Sequence, residues 1–227
     1  MKNLKGKKAV DTVLLFTKPP VAGRVKTRLV GALTARQAAD LHAAFLADLV
    51  ARISGQNFAL VPVWALQSGE APPQEPHGGK RQVEGDLGER LRHSFAELFL
   101  AAAGEEDAGL AVAIGSDVVL GPARDGGYYL IGLRAEALRV PLFEEIAWST
   151  AAVLAQTLAR CRAAGLTAAL LPEEEDIDTA DALDRFAKRL AAGELAAGRR
   201  TSALLAFWGR LGGAEQRDAR QENACGS

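Results

Sequence analysis

The amino-acid sequence predicts an α/β protein with a doubly wound, mainly parallel sheet and helices on both of its faces. The first observation is a short, continuous apolar run at residues 12–16, which is typical of a strand buried on both faces of a parallel sheet. The second is that strand-like and helical patterns then alternate along the chain. The third is size, because 227 residues, 48% of them hydrophobic, can bury one substantial core. We expect a single domain over residues 1–211 and a polar, disordered tail over residues 212–227.

Periodicity and capping signals predict the individual elements. Thr34-Ala-Arg-Gln37 and Asp86-Leu-Gly-Glu89 have the spacing of capping boxes, so each opens a helix. Ser149 and Thr150 can cap a third helix, and Thr179 begins a fourth. The predicted strands are residues 12–16, 58–66, 110–114, 118–120, 128–133 and 166–171, and the predicted helices are residues 34–53, 86–103, 149–164, 179–192 and 195–211.

Composition and charge exclude several classes of protein. The 27 lysines and arginines nearly balance the 28 aspartates and glutamates, so no global field favours nucleic acid, and we expect no nucleic-acid partner. Only two cysteines occur, without the spacing of a zinc site, which indicates a reduced, cytoplasmic setting. No apolar stretch reaches the roughly 20 residues that span a bilayer. The three histidines are scattered along the chain, and we assign none of them a role.

A basic loop follows the first predicted strand. Residues 18–37 contain no acidic residue, although the two signs nearly balance in the whole chain. The loop lies where α/β sheets bind ligands, at the carboxyl end of a strand, and a glycine allows the backbone to approach a phosphate. The alternative is a solvated loop whose prolines fix a turn. The loop is neither a Walker A nor a Gly-x-Gly-x-x-Gly motif. The predicted phosphate-binding residues are Lys18, Gly23, Arg24, Lys26 and Arg28.

Seven ordered blocks of the sequence resemble a bacterial family of GT-A-type glycosyltransferases, or nucleotide-diphospho-sugar transferases. Phe16 to Leu29 match the pattern Phe-x-Lys-x-Pro-x-x-Gly-x-x-Lys-Thr-Arg-Leu with which that family opens. The other blocks are Gly85-Asp-Leu-Gly-Glu-Arg90, Gly115-Ser-Asp117, Val119-Leu-Gly-Pro122, Asp125-Gly-Gly-Tyr-Tyr-Leu-Ile-Gly132, Trp148-Ser-Thr150 and Asp176-Ile-Asp-Thr179. The resemblance covers about residues 11–190 and implies a GT-A-like fold. It also implies kinship with the guanylyltransferases of molybdenum-cofactor and phospholactate metabolism.

The resemblance implies a metal site for Mg²⁺ or Mn²⁺. Asp117 would coordinate the cation, and Asp178, or its neighbour Asp176, would complete the site. The donor set is chemically reasonable, because Mg²⁺ is commonly bound by one or two carboxylates together with substrate phosphates. The alternatives are a turn aspartate for Asp117 and a helix N-cap for Asp178.

The block Asp125-Gly-Gly-Tyr128 is the predicted acceptor site. Gly126 and Gly127 precede a strand and permit positive φ and close approach of a ligand. Asp125 can accept a hydrogen bond from a hydroxylated acceptor, and we predict that it is catalytic. Tyr128 and the two glycines are the predicted acceptor-binding residues. The alternative is a plain hairpin turn.

The sequence departs from the family pattern at one place. Gly115-Ser-Asp117 runs directly into Val118-Val-Leu-Gly-Pro122, where family members carry a turn and a crossover helix between the two blocks. A parallel connection needs a dozen or more residues, so the short link allows only a hairpin or one bent, continuous strand. We therefore expect a locally rearranged sheet that lacks one crossover helix.

Together these patterns predict an enzyme: a metal-dependent transferase that uses a nucleotide-activated donor and a small-molecule acceptor. The first hypothesis is a nucleotide-sugar donor, and hence a glycosyltransferase. A nucleotidyltransferase that releases pyrophosphate from a nucleoside triphosphate is the alternative. The shortened block after Asp117 leaves open a non-catalytic nucleotide-binding domain. The sequence does not indicate the base, the sugar, the acceptor or the oligomeric state.

Overall fold

The computed structural model describes residues 11–54, 56, 58–73, 78–102 and 115–211. Six strands and five α-helices lie in this part of the chain. The strands are β1 (Asp11–Thr17), β2 (Phe58–Trp64), β3 (Lys80–Arg81), β4 (Val118–Pro122), β5 (Tyr128–Leu133) and β6 (Ala168–Leu170). The α-helices are α1 (Ala35–Ser54), α2 (Leu87–Ala102), α3 (Val153–Ala163), α4 (Ala180–Ala191) and α5 (Arg199–Phe207), and 3-10 helices cover Thr27–Leu29 and Ala135–Arg139.

The strands confirm an α/β fold in which most strand pairs are parallel. Within the described residues they form two three-stranded sheets, ordered β1-β2-β3 and β5-β4-β6. The pairs β1–β2, β2–β3 and β4–β6 are parallel, and β4–β5 is antiparallel. The single sheet predicted from the sequence therefore takes the form of two sheets over these residues. The predicted strand at 110–114 and the predicted tail at 212–227 lie outside the described residues.

Contacts divide the chain into two compact units. Unit 1 takes the described residues of Met1–Thr17 and Gln56–Asp176, and unit 2 takes those of Lys18–Gly55 and Ile177–Ser227. In unit 1 the core forms around β4, whose five residues are all buried. Side chains of α2 and of β1 pack into this core, among them Phe95, Leu14 and Phe16. The two sheets of unit 1 therefore share one core. The prediction of a single domain over residues 1–211 stays a prediction.

Unit 2 is a helical unit in which two distant chain segments share a core. Leu29 and Leu41 from the first segment are fully buried with Leu183 and Leu205 from the second. A half-buried carboxylate also joins the two segments, because Asp48 of α1 accepts hydrogen bonds from the backbone N–H groups of Arg200 and Thr201 (3.0 and 2.8 Å). These are orphan donors of the first turn of α5, so Asp48 acts as the N-cap that Gly198 cannot supply.

The capping signals predict most helix starts correctly. Gln37 and Thr34 exchange hydrogen bonds between side chain and backbone at the start of α1, as do Glu89 and Asp86 at the start of α2. Thr179 caps α4 by accepting from the N–H of Ala182.

The prediction that Ser149 and Thr150 cap α3 is wrong. The helix begins at Val153, and its N-cap, Ala152, makes no side-chain capping bond. Ser149 has a φ of 64°, and the hydroxyl of Thr150 donates backwards to Ala147 O (2.7 Å). Both residues therefore belong to a turn that precedes the helix.

In the fused block, residues 115–122, Asp117 leads directly into strand β4. Asp117 immediately precedes Val118, its backbone N–H donates to Thr167 O, and its carbonyl accepts from Arg134 N (3.0 Å). β4 then pairs on one side with the antiparallel β5 and on the other with the parallel β6. Asp117 thus takes the role of the residue that begins the second of the two fused blocks.

The capping role of Asp48 gives a stability prediction. Replacing Asp48 with Ala leaves two helix N–H groups without their acceptor, which costs about 1–2 kcal/mol. We expect Tm to fall by roughly 2–8 °C. Asp40→Ala is the matched control, since within the described part of the chain Asp40 makes only an exposed i,i+4 ion pair with Arg36, whose loss costs about 0.5 kcal/mol or less.

The pH dependence of that loss has a definite sign. Desolvation acts to raise the pKa of Asp48, but the hydrogen bonds from Thr201 and Arg200 outweigh it and hold the pKa below the usual 3.8. The stabilisation is therefore present above pH 3.8 and is lost as the pH falls through the lower folded-state pKa. Urea unfolding of wild type and Asp48→Ala from pH 7 to pH 2 should show the two curves converging in acid. A gap that stays constant would contradict the capping role.

Candidate functional site

The basic loop of unit 2 is a compact series of turns. Val21 N donates to Pro19 O (2.8 Å), and Arg24 N donates to Val21 O (3.0 Å). Gly23 has a φ of 79°, which favours glycine, and open space lies where a Cβ would stand. The loop ends in the 3-10 helix Thr27–Leu29, which the fully buried Leu29 anchors to the core. A backbone of this shape buries Val25 and leaves Gly23 exposed to solvent.

Lys26 is the most constrained cation of the loop. Its backbone is left-handed, with a φ of 49°, a conformation that costs a non-glycine residue about 1–2 kcal/mol. Its Nζ donates to Asp178 Oδ1 at 2.7 Å and lies 5.7 Å from the centre of the Phe45 ring. The side chain is only 19% exposed, against 43% for Asp178. The structure therefore brings together two residues that the sequence predicted for one site, and pairs them with each other.

Asp178 does not cap α4. The capping oxygen belongs to Thr179, so the alternative role considered for Asp178 is wrong. Its carboxylate instead neutralises the ammonium of Lys26, which comes 152 residues earlier in the chain.

His42 fixes the start of the same loop. Its Nε2 lies 3.0 Å from the backbone oxygen of Lys18, and a carbonyl can only accept, so Nε2 carries the proton. Desolvation by burial lowers the pKa of His42 below 6.5, and the cations Lys26 and Lys18 lower it further against the opposing effects of the hydrogen bond and of Asp178. The ring is therefore neutral at pH 7, and it holds the loop without adding charge.

The other cations of the loop differ in their surroundings. Arg28 is exposed, and its guanidinium has no hydrogen-bond or ion-pair partner in the described part of the chain. Lys18 is also exposed, whereas Arg24 is half-buried, and both make contacts within the structure. Arg28 is thus the cation of the loop that is most open to an incoming anion.

The predicted acceptor block forms a tight turn in unit 1. Asp125 Oδ1 accepts from Gly127 N at 3.0 Å, and Gly126 has a φ of 87°. A Cβ on Gly126 would overlap the backbone of Ala151, and Gly126 O accepts from Leu154 N (2.9 Å) at the start of α3. The turn is therefore docked on the α3 terminus and is more than a plain hairpin turn.

Three of the sequence blocks meet around one indole. The ring of Trp148 contacts Tyr128 edge to face, with centroids 6.5 Å apart. A Cβ on Gly88, in α2, would lie 2.9 Å from Trp148 Cζ2, so only glycine lets the indole approach. Tyr128 Oη and Trp148 Nε1 are buried and have no hydrogen-bond partner among the described residues. Burial raises the pKa of Tyr128 to about 12.

Asp117 lies at the opposite end of β4 from this turn. Its carboxylate accepts from Thr167 Oγ1 (2.6 Å) and Thr167 N (2.8 Å), and these bonds lower its pKa. Pro122 ends β4 five residues later, which is roughly 16 Å at the usual rise of a strand. Asp117 therefore lies far from the residues that follow the carboxyl end of the strand.

The predicted pair of Asp117 and Asp176 does not come together. Asp176 is exposed and follows Glu174, which bridges to Ala123 beyond the carboxyl end of β4. Asp117 is at the amino end of that strand. Among the described residues, no group of three or more His, Cys, Asp or Glu side chains is arranged to hold a metal. The metal roles of Asp117, Asp176 and Asp178 stay predictions.

The sequence did not predict that His42 and Phe45 are neighbours of the basic loop. They are three residues apart on α1 and so share one face of the helix. Their spacing, in the helix that directly follows a basic loop, is a signal that could have found them. The sequence also did not single out Arg124, which is next to Asp125 and forms ion pairs with Glu173 and Glu175 (both 3.6 Å).

Comparison with known proteins supports the predicted class. Residues 107–150 match the model of the family DUF2064, described as an uncharacterized protein conserved in bacteria. A crystal structure from Desulfovibrio desulfuricans G20, provisionally assigned as a nucleotide-diphospho-sugar transferase, is similar with a TM-score of 0.74 and 28% identity, over 88% of this chain and 95% of that one. No curated protein matches. The two similarities support a relationship with the nucleotide-diphospho-sugar-transferase-like family, and the second confirms a GT-A-like fold.

No helix in the described residues combines the length and apolar character needed to cross a membrane. The predicted kinship with molybdenum-cofactor and phospholactate guanylyltransferases stays a prediction.

The docking of the turn at residues 125–127 predicts a contrast between its two glycines. Gly126→Ala needs a positive φ and places a methyl group against Ala151, so we expect a loss of about 2–4 kcal/mol. Gly127→Ala is the matched control, because its Cβ would meet only Asp125 Oδ1 at 3.2 Å. Thermal unfolding measures both, and equal Tm values for the two variants would contradict the docked turn.

The environment of His42 predicts an acid-sensitive contribution to stability. Because the folded-state pKa is below 6.5, the unfolded chain takes up this proton first, and stability falls as the pH drops below 6.5. His42→Gln keeps an N–H donor near the Nε2 position but cannot titrate. Denaturant unfolding from pH 8 to pH 5 should show wild type losing stability relative to the Gln variant. A constant difference over that range would overturn the assignment, and the two other histidines, present in both proteins, cancel.

Proposed function

We propose that this protein is a transferase that binds a nucleotide-activated donor, with a nucleotide-sugar as the first candidate. The observation that carries the proposal is Lys26, a strained lysine with a largely buried side chain, in a basic loop after the first strand. Strained backbone persists where the surrounding structure enforces it, and it clusters at ligand sites. The similarity to a structure provisionally assigned as a nucleotide-diphospho-sugar transferase supports the same class.

The basic loop supplies the charge that a diphosphate needs. Each cation about 4 Å from a phosphate contributes at most roughly 4 kcal/mol at an effective dielectric near 20. Arg28 offers an exposed guanidinium that can bind phosphate oxygens in bidentate fashion. Gly23 leaves the loop backbone open to a close approach. In this proposal Lys18, Arg24 and Lys26 complete the cationic surface around the donor phosphates.

A divalent cation fits this site as one carboxylate plus donor phosphates. The chemistry of Asp178 suits the role, because its side chain is 43% exposed and Mg²⁺ commonly takes one or two carboxylates with phosphate oxygens. Asp117 suits it less, since its carboxylate is bound to Thr167. When bound, Mg²⁺ or Mn²⁺ would stabilise negative charge on the leaving phosphate. We propose Asp178 as the protein ligand.

On the acceptor side we propose that Asp125 orients or deprotonates a hydroxyl of a small-molecule acceptor. Its Oδ1 accepts a hydrogen bond from Gly127 N, and the residue is exposed, so the carboxylate remains accessible to the hydroxyl of an acceptor. Gly126, Gly127 and Tyr128 shape the turn that presents it.

The products of the reaction test the proposal. A glycosyl transfer releases a nucleoside diphosphate, and a nucleotidyl transfer releases pyrophosphate. The purified protein is incubated with Mn²⁺, panels of nucleotide-sugars and nucleoside triphosphates, and a panel of hydroxylated small-molecule acceptors that receive the transferred group, and both products are assayed. Release of neither product from any donor would overturn the proposed transferase.

A non-catalytic nucleotide-binding domain is the second candidate. The observation that favours it is the position of Asp117 at the amino end of β4, bound to Thr167. It predicts nucleotide binding without product, and binding that a chelator does not change.

The proposal gives a binding prediction for Lys26. Lys26→Met should weaken binding of the nucleoside diphosphate for which wild type has the highest affinity by roughly 10- to 150-fold, because it removes one charge-assisted hydrogen bond of about 1.5–3 kcal/mol. Arg36→Met is the matched control, since Arg36 is an exposed cation of the same acid-free segment, residues 18–37, and pairs with Asp40 on α1. Isothermal titration at two salt concentrations measures both. Equal affinities for the two variants would contradict a specific phosphate contact at Lys26.

A further inference from the structure

Resting on the proposed function, we infer that Asp178 is a built-in competitor for the ammonium of Lys26, so that this site binds its phosphate and its cation cooperatively. A bound phosphate replaces Asp178 as the partner of the Lys26 ammonium, and a bound cation replaces Lys26 as the partner of the Asp178 carboxylate. Each ligand removes the obstacle to the other.

The two partners of the ion pair are held very differently. Lys26 is fixed by its left-handed backbone, by the ring of Phe45 and by burial of four-fifths of its side chain. Asp178 is more than twice as exposed and lies in the segment just before α4. The ammonium therefore has a set position, and the carboxylate is the partner that a ligand can replace.

The position of the ammonium suits a phosphate oxygen. The distance of 2.7 Å between Lys26 Nζ and Asp178 Oδ1 is that of a charge-assisted hydrogen bond, which a phosphate oxygen makes at the same length. Asp178 thus occupies the place of one anionic oxygen. Two anions at one ammonium repel each other, so the carboxylate opposes the phosphate while it carries its negative charge.

A divalent cation reverses this opposition. Bound to Asp178, it neutralises the carboxylate and adds an attraction for the incoming phosphate. Linkage requires the effect to be reciprocal: if the cation raises phosphate affinity by some factor, phosphate raises cation affinity by the same factor.

The competing explanation is that the Lys26–Asp178 ion pair only stabilises the packing of the two chain segments of unit 2. The two explanations differ in the sign of one effect. A stabilising contact predicts that removing the Asp178 charge loosens the loop and weakens anion binding. A competitor predicts that the same change strengthens anion binding when no metal is present.

The test uses pyrophosphate, the part common to all nucleoside diphosphates, and the full-length protein. Isothermal titration is run with chelator and again with Mg²⁺ on wild type, Asp178→Asn, Lys26→Met and the double variant. Asp181→Asn is the control for charge alone, because Asp181 is an exposed aspartate in the first turn of α4. Thermal unfolding confirms that each variant is folded.

We expect Asp178→Asn to bind metal-free pyrophosphate roughly five- to tenfold more tightly than wild type, the lower part of the usual range for coupled sites. Mg²⁺ should strengthen binding more in wild type than in Asp178→Asn, and this comparison cancels the affinity of Mg²⁺ for pyrophosphate in solution. In the Lys26→Met background the Asp178 change should alter affinity by less than about twofold. Asp181→Asn should also stay within about twofold.

Several results would overturn the inference. They are weaker or unchanged pyrophosphate binding by Asp178→Asn, an equal gain from Asp181→Asn, a gain that persists without Lys26, or no binding by any of the proteins at millimolar pyrophosphate. Failure of the transferase proposal looks different, since it is seen in the product assay. Coupled binding without turnover would leave the inference standing and remove the proposed activity.

Discussion

The ion pair between Lys26 and Asp178 connects the architecture of unit 2 to its proposed chemistry. Unit 2 is built from two segments of the chain that lie far apart in sequence. They are joined by a leucine core, by the capping of α5 from Asp48, and by this ion pair at the base of the basic loop. The first two contacts are structural, whereas the third sets the charge of a surface loop. A loop of the same sequence without Asp178 would present one more free positive charge.

Glycines provide the second constraint, because they set how closely the elements of unit 1 can approach. Gly126 lets the turn at residues 125–127 lie against the start of α3, and Gly88 lets Trp148 lie against α2. Through Trp148 and Tyr128, blocks that are widely separated in sequence converge on one cluster. These three blocks therefore share one set of physical contacts.

What the sequence could predict was mostly local. Capping boxes at Thr34 and Asp86 and the cap at Thr179 involve residues three apart, so the sequence alone located them. The start of α3 was missed because Thr150 bonds backwards to Ala147 and Ser149 takes a positive φ, preferences that no spacing reveals. The basic loop was recognised from its charge bias, which is also local.

The surroundings of the predicted aspartates could not be read from the sequence. Asp117 meets Thr167, 50 residues away, and Asp178 meets Lys26, 152 residues away. Such partners depend on how strands and segments pair, and a one-dimensional pattern does not contain that pairing. For the same reason, the sequence did not predict the contact between His42, a histidine with no motif around it, and the backbone carbonyl of Lys18.

The most direct test of the account is a crystal structure of the protein grown with Mn²⁺ and pyrophosphate. We expect phosphate density within hydrogen-bond distance of Lys26 Nζ, an anomalous manganese peak beside the carboxylate of Asp178, and the Lys26–Asp178 contact broken. Pyrophosphate bound elsewhere on the protein, with the ion pair intact, would contradict it.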